Sequence, residues 1–189
     1  LKTAPEIRQK IFWWAISVGK EATQYMLNNQ SPPFLLGIKH KIADKLVYSK
    51  VKERVGGRLR FFVSGGAPLS KEIGEFFAAA DITILEGYGL SETSPVLTAN
   101  SPGNIRFGSV GKALFNVDIK IADDGEILAK GPNIMMGYYN NEEASREAID
   151  EEGWFHTGDI GHLDDEGYLF ITDRKKNILV TSAGKNVAP

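Results

Sequence analysis

Ile82-Thr83-Ile84-Leu85, followed directly by Glu86-Gly87-Tyr88-Gly89-Leu90-Ser91-Glu92-Thr93-Ser94-Pro95, joins a short β-branched apolar run to two glycines and then to a hydroxyl, a carboxylate and a second hydroxyl. The run predicts a buried strand, and the glycines predict a turn whose backbone comes close to a ligand. Ser91 and Thr93 are then placed to donate to phosphate oxygens, and Glu92 to hold a hard cation such as Mg²⁺ through oxygen. An ordinary turn with a solvated Glu fits the same residues, because glycine-rich loops are weak signals.

Just upstream, Arg58 to Val63 reads as a compact apolar strand and Leu69 to Ala80 as a helix capped by Ser70, with Glu72 in its first turn. Strand, turn, helix and strand in that order imply a right-handed crossover and a mainly parallel sheet, whose ligands gather at the carboxyl ends of its strands. Ser64-Gly65-Gly66-Ala67-Pro68 and Glu86-Gly87-Tyr88-Gly89 leave strand ends on that edge, so one site is expected from two loops. Further back, Ile7, Ile11, Trp14, Ile16, Val18 and Tyr25 recur at mostly helical spacing, predicting a helix from Pro5 to about Asn28. A second helix, from Phe34 to Val55, is stopped by Gly56-Gly57.

After Pro102-Gly103-Asn104 the pattern changes to short strand-like runs, at Val117 to Ile121, Glu126 to Lys130, Gly158 to Leu163 and Tyr168 to Thr172. Asp123-Asp124-Gly125 and Asp164-Asp165-Glu166-Gly167 divide them as turns. One helix, capped by Asn141, interrupts them up to about Ile149. The expected class is α/β with a β-rich second part: a portion of a mainly parallel α/β subdomain over 1–103, then an antiparallel sheet or small distorted β-barrel over 104–173.

A chain of 189 residues with 42% hydrophobic and 24% charged composition has room for one sizeable core or two small subdomains. The absence of cysteine removes disulfides, thiolate metal sites and a thiol nucleophile, and is compatible with a reducing cytoplasm. No apolar run is long enough to span a membrane. The net charge of −2 hides an asymmetry: residues 1–60 carry 12 Lys+Arg against 4 Asp+Glu, and the remainder 10 against 20. The basic residues are spread among helical apolar positions without a nucleic-acid motif, so a solvated helical face is expected, with peripheral contact to an anionic membrane as a further reading and no nucleic-acid partner. The chain lacks an initiator Met and ends in a loop at Asn186-Val187-Ala188-Pro189, and is expected to be a piece of a longer protein.

Ser64-Gly65-Gly66-Ala67-Pro68-Leu69-Ser70, the Glu86–Pro95 stretch, and Gly153-Trp154-Phe155-His156-Thr157-Gly158-Asp159-Ile160-Gly161 running on to Asp173-Arg174-Lys175-Lys176 together resemble the adenylate-forming enzymes. Within them, the run from Gly153 to Lys176 is most similar to the long-chain fatty acyl-CoA synthetases. The resemblance covers nearly the whole chain. It implies a ligase that activates a long-chain fatty acid with ATP and Mg²⁺ to an acyl-adenylate and then transfers the acyl group to coenzyme A. It also implies a site. Glu92 corresponds to the metal ligand, with Ser91 and Thr93 at the phosphates; Ser91 stands where many relatives have Thr, which keeps the hydroxyl. Gly65, Gly66 and Ala67 match the loop beside adenine and the acyl chain, and Glu86, Gly87 and Tyr88 match the segment bordering the adenine ring, on which Tyr88 could stack. Asp159 matches the carboxylate that accepts from both ribose hydroxyls, and Arg174 a second ribose contact. An ionised acceptor suits a vicinal diol, since both hydroxyls donate to charge. His156 is expected to be structural, because a nucleophile that is already ionised needs no base.

Lys176 matches the hinge to a carboxyl-terminal lid begun by 174–189, and Gly184 lies on the loop that approaches the coenzyme A path. The family's phosphate-binding loop is expected before Leu1 and its lid lysine after Pro189. Other carboxylate adenylators, of coumarate or luciferin type, and a catalytically dead nucleotide-binding module are the competing readings.

Overall fold

The computed structural model describes residues 5–28 and 30–175, with the backbone of 179–180 and 186–187. The expected hinge Lys176 and the expected coenzyme A-path residue Gly184 lie outside the described residues. By internal contacts the chain divides into two compact units, Leu1–Leu85 with Ser101–Gly108, and Glu86–Asn100 with Ser109–Pro189. Among the described residues no helix is long and apolar enough to cross a membrane.

The first unit is mainly helical. Helix α1 (Glu6–Leu27) buries Ala15, Ile16 and Val18, with Ile11 and Ala22 beside them. This differs from the stripe read from spacing: Ile7 is 72% exposed and Trp14 lies at the margin. Helix α4 (Lys71–Ala79) comes very close to α1 at Gly19, where an added Cβ would lie 1.7 Å from the Ala79 carbonyl oxygen. Helices that meet backbone to backbone leave room only for small side chains between them. The second helical path comes in three parts: α2 (Phe34–Ala43), a π-helical turn (Asp44–Tyr48) and α3 (Ser49–Arg54). The Val47 and Tyr48 side chains of that wider turn reach the core. There the Tyr48 hydroxyl donates to the Ala15 carbonyl, and burial pushes its pKa up to about 12.

Strand β1 (Phe62–Ser64) lies beside the start of β2 (Ile84–Tyr88), the Phe62 amide donating to the Thr83 carbonyl at 2.9 Å. Between them α4 starts at Ser70, whose hydroxyl accepts from the Ile73 amide at 3.3 Å, as expected for its N-cap. Pro102-Gly103-Asn104, read as a border, is a turn closed by Ser101 and Asn104, and it returns Ile105 and Phe107 to this unit. With Thr23, His40 and Asp81 they line a cleft of about 520 Å³.

The second unit is antiparallel. β2 pairs with β3 (Thr98–Ala99), which pairs with β4 (Lys112–Ala113). A four-stranded sheet follows in the order β5 (Asp118–Ile121), β6 (Glu126–Lys130), β7 (Phe155–Leu163), β8 (Leu169–Arg174), every pair antiparallel. Val110 and Leu169 exchange one backbone bond and Leu169 and Gly111 another, both at 2.9 Å, tying the two sheets over a core of Tyr88, Leu97, Val117, Ile127, Ala129 and Leu169. Helix α5 (Glu142–Ala148) interrupts the strands, capped by Asn141, whose side chain accepts from the Ala144 amide. Two further strands, β9 (Leu179–Val180) and β10 (Asn186–Val187), pair with each other. The α/β character of the early chain and the antiparallel β-rich later part are as the sequence patterns predict.

Candidate functional site

Glu86, Gly87 and Tyr88, expected in a turn, are the last residues of β2, with Gly87 opposite Ala99 and Tyr88 opposite Thr98. The chain leaves the sheet only at Gly89. A Cβ there would lie 1.8 Å from the Pro95 carbonyl oxygen, so this glycine is required by the loop's own closure. Ser91–Thr93 form one 3-10 turn, ended by Ser94 in the left-handed region at φ 51°.

Thr93 is fully buried. Its hydroxyl accepts from the Leu90 amide at 2.9 Å and faces the Leu90 and Pro95 carbonyls at 3.0 and 2.8 Å, so it holds the loop together. Ser91 is the exposed hydroxyl of the turn. Asn133 clamps the turn from outside, its amide donating to the Thr93 and Val96 carbonyls, and the Met135 amide donates to the Glu92 carbonyl at 2.8 Å. The Glu92 carboxylate is half-buried and accepts from the Tyr138 hydroxyl at 3.1 Å. Burial and that carboxylate raise the Tyr138 pKa. Among the described residues no group of three or more His, Asp or Glu could cage a metal. A Mg²⁺ carried on nucleotide phosphates needs only one or two carboxylates, the remaining ligands being phosphate oxygens and water, and Glu92 fits that requirement.

Asp159 owes its direction to a bulge. Glu126 faces Ile160 and Leu128 faces His156, so Thr157, Gly158 and Asp159 of β7 lie against Ile127 alone. Surplus residues of this kind bend a strand and re-aim its side chains. Gly158 takes φ +72°, a conformation that side chains resist, and the residues on either side of it are buried. Asp159 is only 5% exposed. Its Oδ2 accepts from the Tyr88 hydroxyl at 2.6 Å, and its Oδ1 lies 3.3 Å from Arg174 Nε. The Tyr88 ring is core, with its hydroxyl held well above the ordinary pKa by burial first and by Asp159 second. Tyr88, Asp159 and Arg174, 71 and 15 residues apart along the chain, therefore meet in the second unit.

Gly65, Gly66 and Ala67 are exposed and belong to the first unit. His156, expected to be structural, donates from Nδ1 to Glu126 at 3.0 Å. Glu126 itself, with Lys175, Asn133 and Tyr138, went unnoticed in the sequence. A carboxylate opening a strand after Asp-Gly looks solvated, yet Glu126 is 3% exposed, and only the Thr157-Gly158-Asp159 bulge across from it explains why.

The AMP-binding enzyme family matches residues 20–139. The long-chain-fatty-acid–CoA ligase FadD15 of Mycobacterium bovis is 49% identical over 158 residues, which cover 84% of this chain and 26% of the relative. The long-chain-fatty-acid–CoA ligase ACSBG2 of Homo sapiens is 40% identical over 190 residues, covering 97% of this chain and 28% of the relative. Among solved structures, O-succinylbenzoate coenzyme A synthetase (MenE) from Bacillus subtilis in complex with ATP and magnesium ion matches with TM-score 0.62 and 35% identity, over 69% of this chain and 29% of that one. ATP-bound MatB from Rhodopseudomonas palustris matches with TM-score 0.65 and 35% identity, over 73% and 29%. The chain spans about a quarter to a third of the length of the curated relatives it matches. With more than half of its residues matched, and with the α/β and antiparallel parts arranged as above, the chain belongs to the AMP-binding enzyme family.

Proposed function

We propose that this chain forms the nucleotide-holding part of a long-chain fatty acid–CoA ligase. The observation that carries the reading is Asp159, a buried carboxylate aimed by a bulge, with Tyr88 on one oxygen and Arg174 beside the other. In the first half-reaction an oxygen of the fatty-acid carboxylate attacks the α-phosphorus of ATP, the bond to the bridging oxygen breaks, and pyrophosphate leaves with that electron pair. In the second, the coenzyme A thiol gives up its proton, sulfur attacks the acyl carbonyl, and AMP leaves. The first step brings anion to anion, so donors and cations aimed at the phosphorus oxygens supply most of the catalysis.

Asp159 accepts from the two ribose hydroxyls and Arg174 adds a second ribose contact, while Gly65, Gly66 and Ala67 lie along adenine and the acyl chain and Glu86, Gly87 and Tyr88 border the base. Ser91 donates to a phosphate oxygen. Thr93 and Asn133 keep the turn closed so that Glu92 meets the nucleotide's Mg²⁺, which supplies charge neutralisation when bound. Tyr88 supports Asp159 from within the core in place of stacking freely on the base. Lys176 as hinge and Gly184 on the coenzyme A path complete the assignment. A fatty acyl substrate is supported by the names of the relatives and by the Gly153–Lys176 run.

The test is Glu92→Ala in the full-length parent. Turnover falls by at least about a hundredfold while the protein stays folded, in line with the loss of a group that stabilises transition-state charge. A variant with the normal rate and the normal Mg²⁺ dependence would reduce Glu92 to a turn residue.

A further inference from the structure

Glu126 is the most completely enclosed carboxylate beside the candidate site. Its Oε1 accepts from the Gly158 amide at 2.9 Å, and its Oε2 accepts from His156 Nδ1 at 3.0 Å and from Lys175 Nζ at 2.8 Å. Lys175 also reaches Asp124 at 2.7 Å, and His156 Nε2 lies 3.8 Å from Asp150. These groups come from the turn before β6, from β6, from the segment between α5 and β7, from β7 and from the residue after β8.

What the cluster does follows from its neighbours in sequence. Gly158 precedes Asp159, and its amide has no ladder partner because the bulge has lifted it from β6. The Glu126 carboxylate takes the place of the missing backbone acceptor. Lys175 follows Arg174, so the same carboxylate holds the chain at the other half of the Asp159–Arg174 pair. One buried charge thus holds the chain beside each member of a contact whose two residues lie 15 apart in sequence. The desolvation of Glu126 is offset by the ammonium, the imidazole and the amide together, which leave it ionised, with its pKa below the ordinary value.

We infer that Glu126 and Lys175 are positioning residues for nucleotide binding, setting the spacing of Asp159 and Arg174 through the Gly158 amide and the Lys175 ammonium. The inference rests on the ribose role proposed for Asp159. Groups that orient a metal ligand through a hydrogen bond change affinity or activity about 10- to 100-fold when removed, and an effect at the lower end of that scale is expected here.

Four variants of the full-length parent test it: Lys175→Met, Lys175→Arg, Glu126→Gln and Asp159→Ala, each assayed for the Michaelis constants of ATP, fatty acid and coenzyme A and for thermal unfolding. Lys175→Met raises the ATP constant about tenfold, leaves the other two within about twofold, and is rescued by Lys175→Arg. Lys175 is 44% exposed on its side chain, so this variant folds even where Glu126→Gln does not. If Asp159→Ala raises the ATP constant and Lys175→Met does not, the positioning role is refuted and the ribose reading stands. Equal loss in all three constants with a fallen melting temperature makes the cluster a purely structural tie and also overturns the inference. An unchanged ATP constant in Asp159→Ala removes the ribose reading and the positioning role with it.

Discussion

Replacing Asp159 by Asn keeps the shape of the side chain and removes only its charge. Asn retains one carbonyl oxygen for the Tyr88 hydroxyl, now 2.6 Å from Oδ2, so the buried phenol keeps an acceptor. The ion pair with Arg174 is lost, but that guanidinium is 72% exposed, so the cost to stability stays within about 1 kcal/mol. A ribose diol would be affected more. A hydrogen bond to a charged acceptor is worth about 1.5–3 kcal/mol and one to a neutral acceptor about 0.5–1.5, a difference of roughly 1 kcal/mol for each hydroxyl. Two hydroxyls give about 2 kcal/mol, or about thirtyfold in the Michaelis constant for ATP. Asp159→Ala differs in kind, because it also removes the carboxylate acceptor of the buried Tyr88 hydroxyl, at a stability cost of about 1–3 kcal/mol that Tyr88→Phe should largely restore. The assay is initial rate against ATP and against 2′-deoxy-ATP in the full-length parent. The wild type prefers ATP, and Asp159→Asn erodes that preference. An unchanged ATP constant together with an unchanged ratio between the two nucleotides would refute the ribose assignment.

Thr93→Val leaves the Leu90 amide without its acceptor in a fully buried position and removes a hydroxyl bond, for a combined loss of about 2–4 kcal/mol; urea unfolding of the parent measures it, and an unshifted midpoint contradicts the loop-clamp role. The pH dependence of stability follows from the Glu126 cluster. The Asp124 and Glu126 carboxyls are held below their ordinary values, Asp124 mainly by Lys175, and Glu126 by Lys175, His156 and the Gly158 amide against its own burial. Their contribution is therefore present above about pH 4.5 and is lost as the pH falls through the lowered values. Lys175 is raised above 10.5 by the same carboxylates, so its contribution is present below that pH and is lost as the pH rises through the raised value. Lys175→Met should destabilise the parent most near neutrality, and by progressively less below about pH 4.5, where a protonated Glu126 needs no cation. A difference that stays constant down to pH 3 would contradict the pairing.

Local signals served where the physics is local. Ser70 and Asn141 cap the helices they precede, and the strand runs on either side of Asp123-Asp124-Gly125 pair as the alternation implies. Packing between elements was less legible. Gly19 lets α1 and α4 approach closely at Ala79, while Ile7 and Trp14 stay outside the core, and no spacing within α1 announces its neighbour. At the site, residue type pointed to Glu92 and the family resemblance to Asp159, but neither told what surrounds them. That the Thr93 hydroxyl is bonded within its own loop, and that Gly89 leaves room for the Pro95 carbonyl, follow from how the loop folds back and not from residue type. Glu126 was invisible for the same reason: its burial depends on a bulge in a strand 30 residues away.

The proposed ligase activates a fatty acid by forming its adenylate. Isotope exchange between pyrophosphate and ATP measures this half-reaction directly, because it reports the reversible first step without coenzyme A. With the purified full-length parent, exchange should require a long-chain fatty acid and Mg²⁺, and should nearly vanish in Glu92→Ala. Exchange that proceeds without the acid, or acid-dependent cleavage of ATP that yields ADP and phosphate in place of AMP and pyrophosphate, would contradict the account.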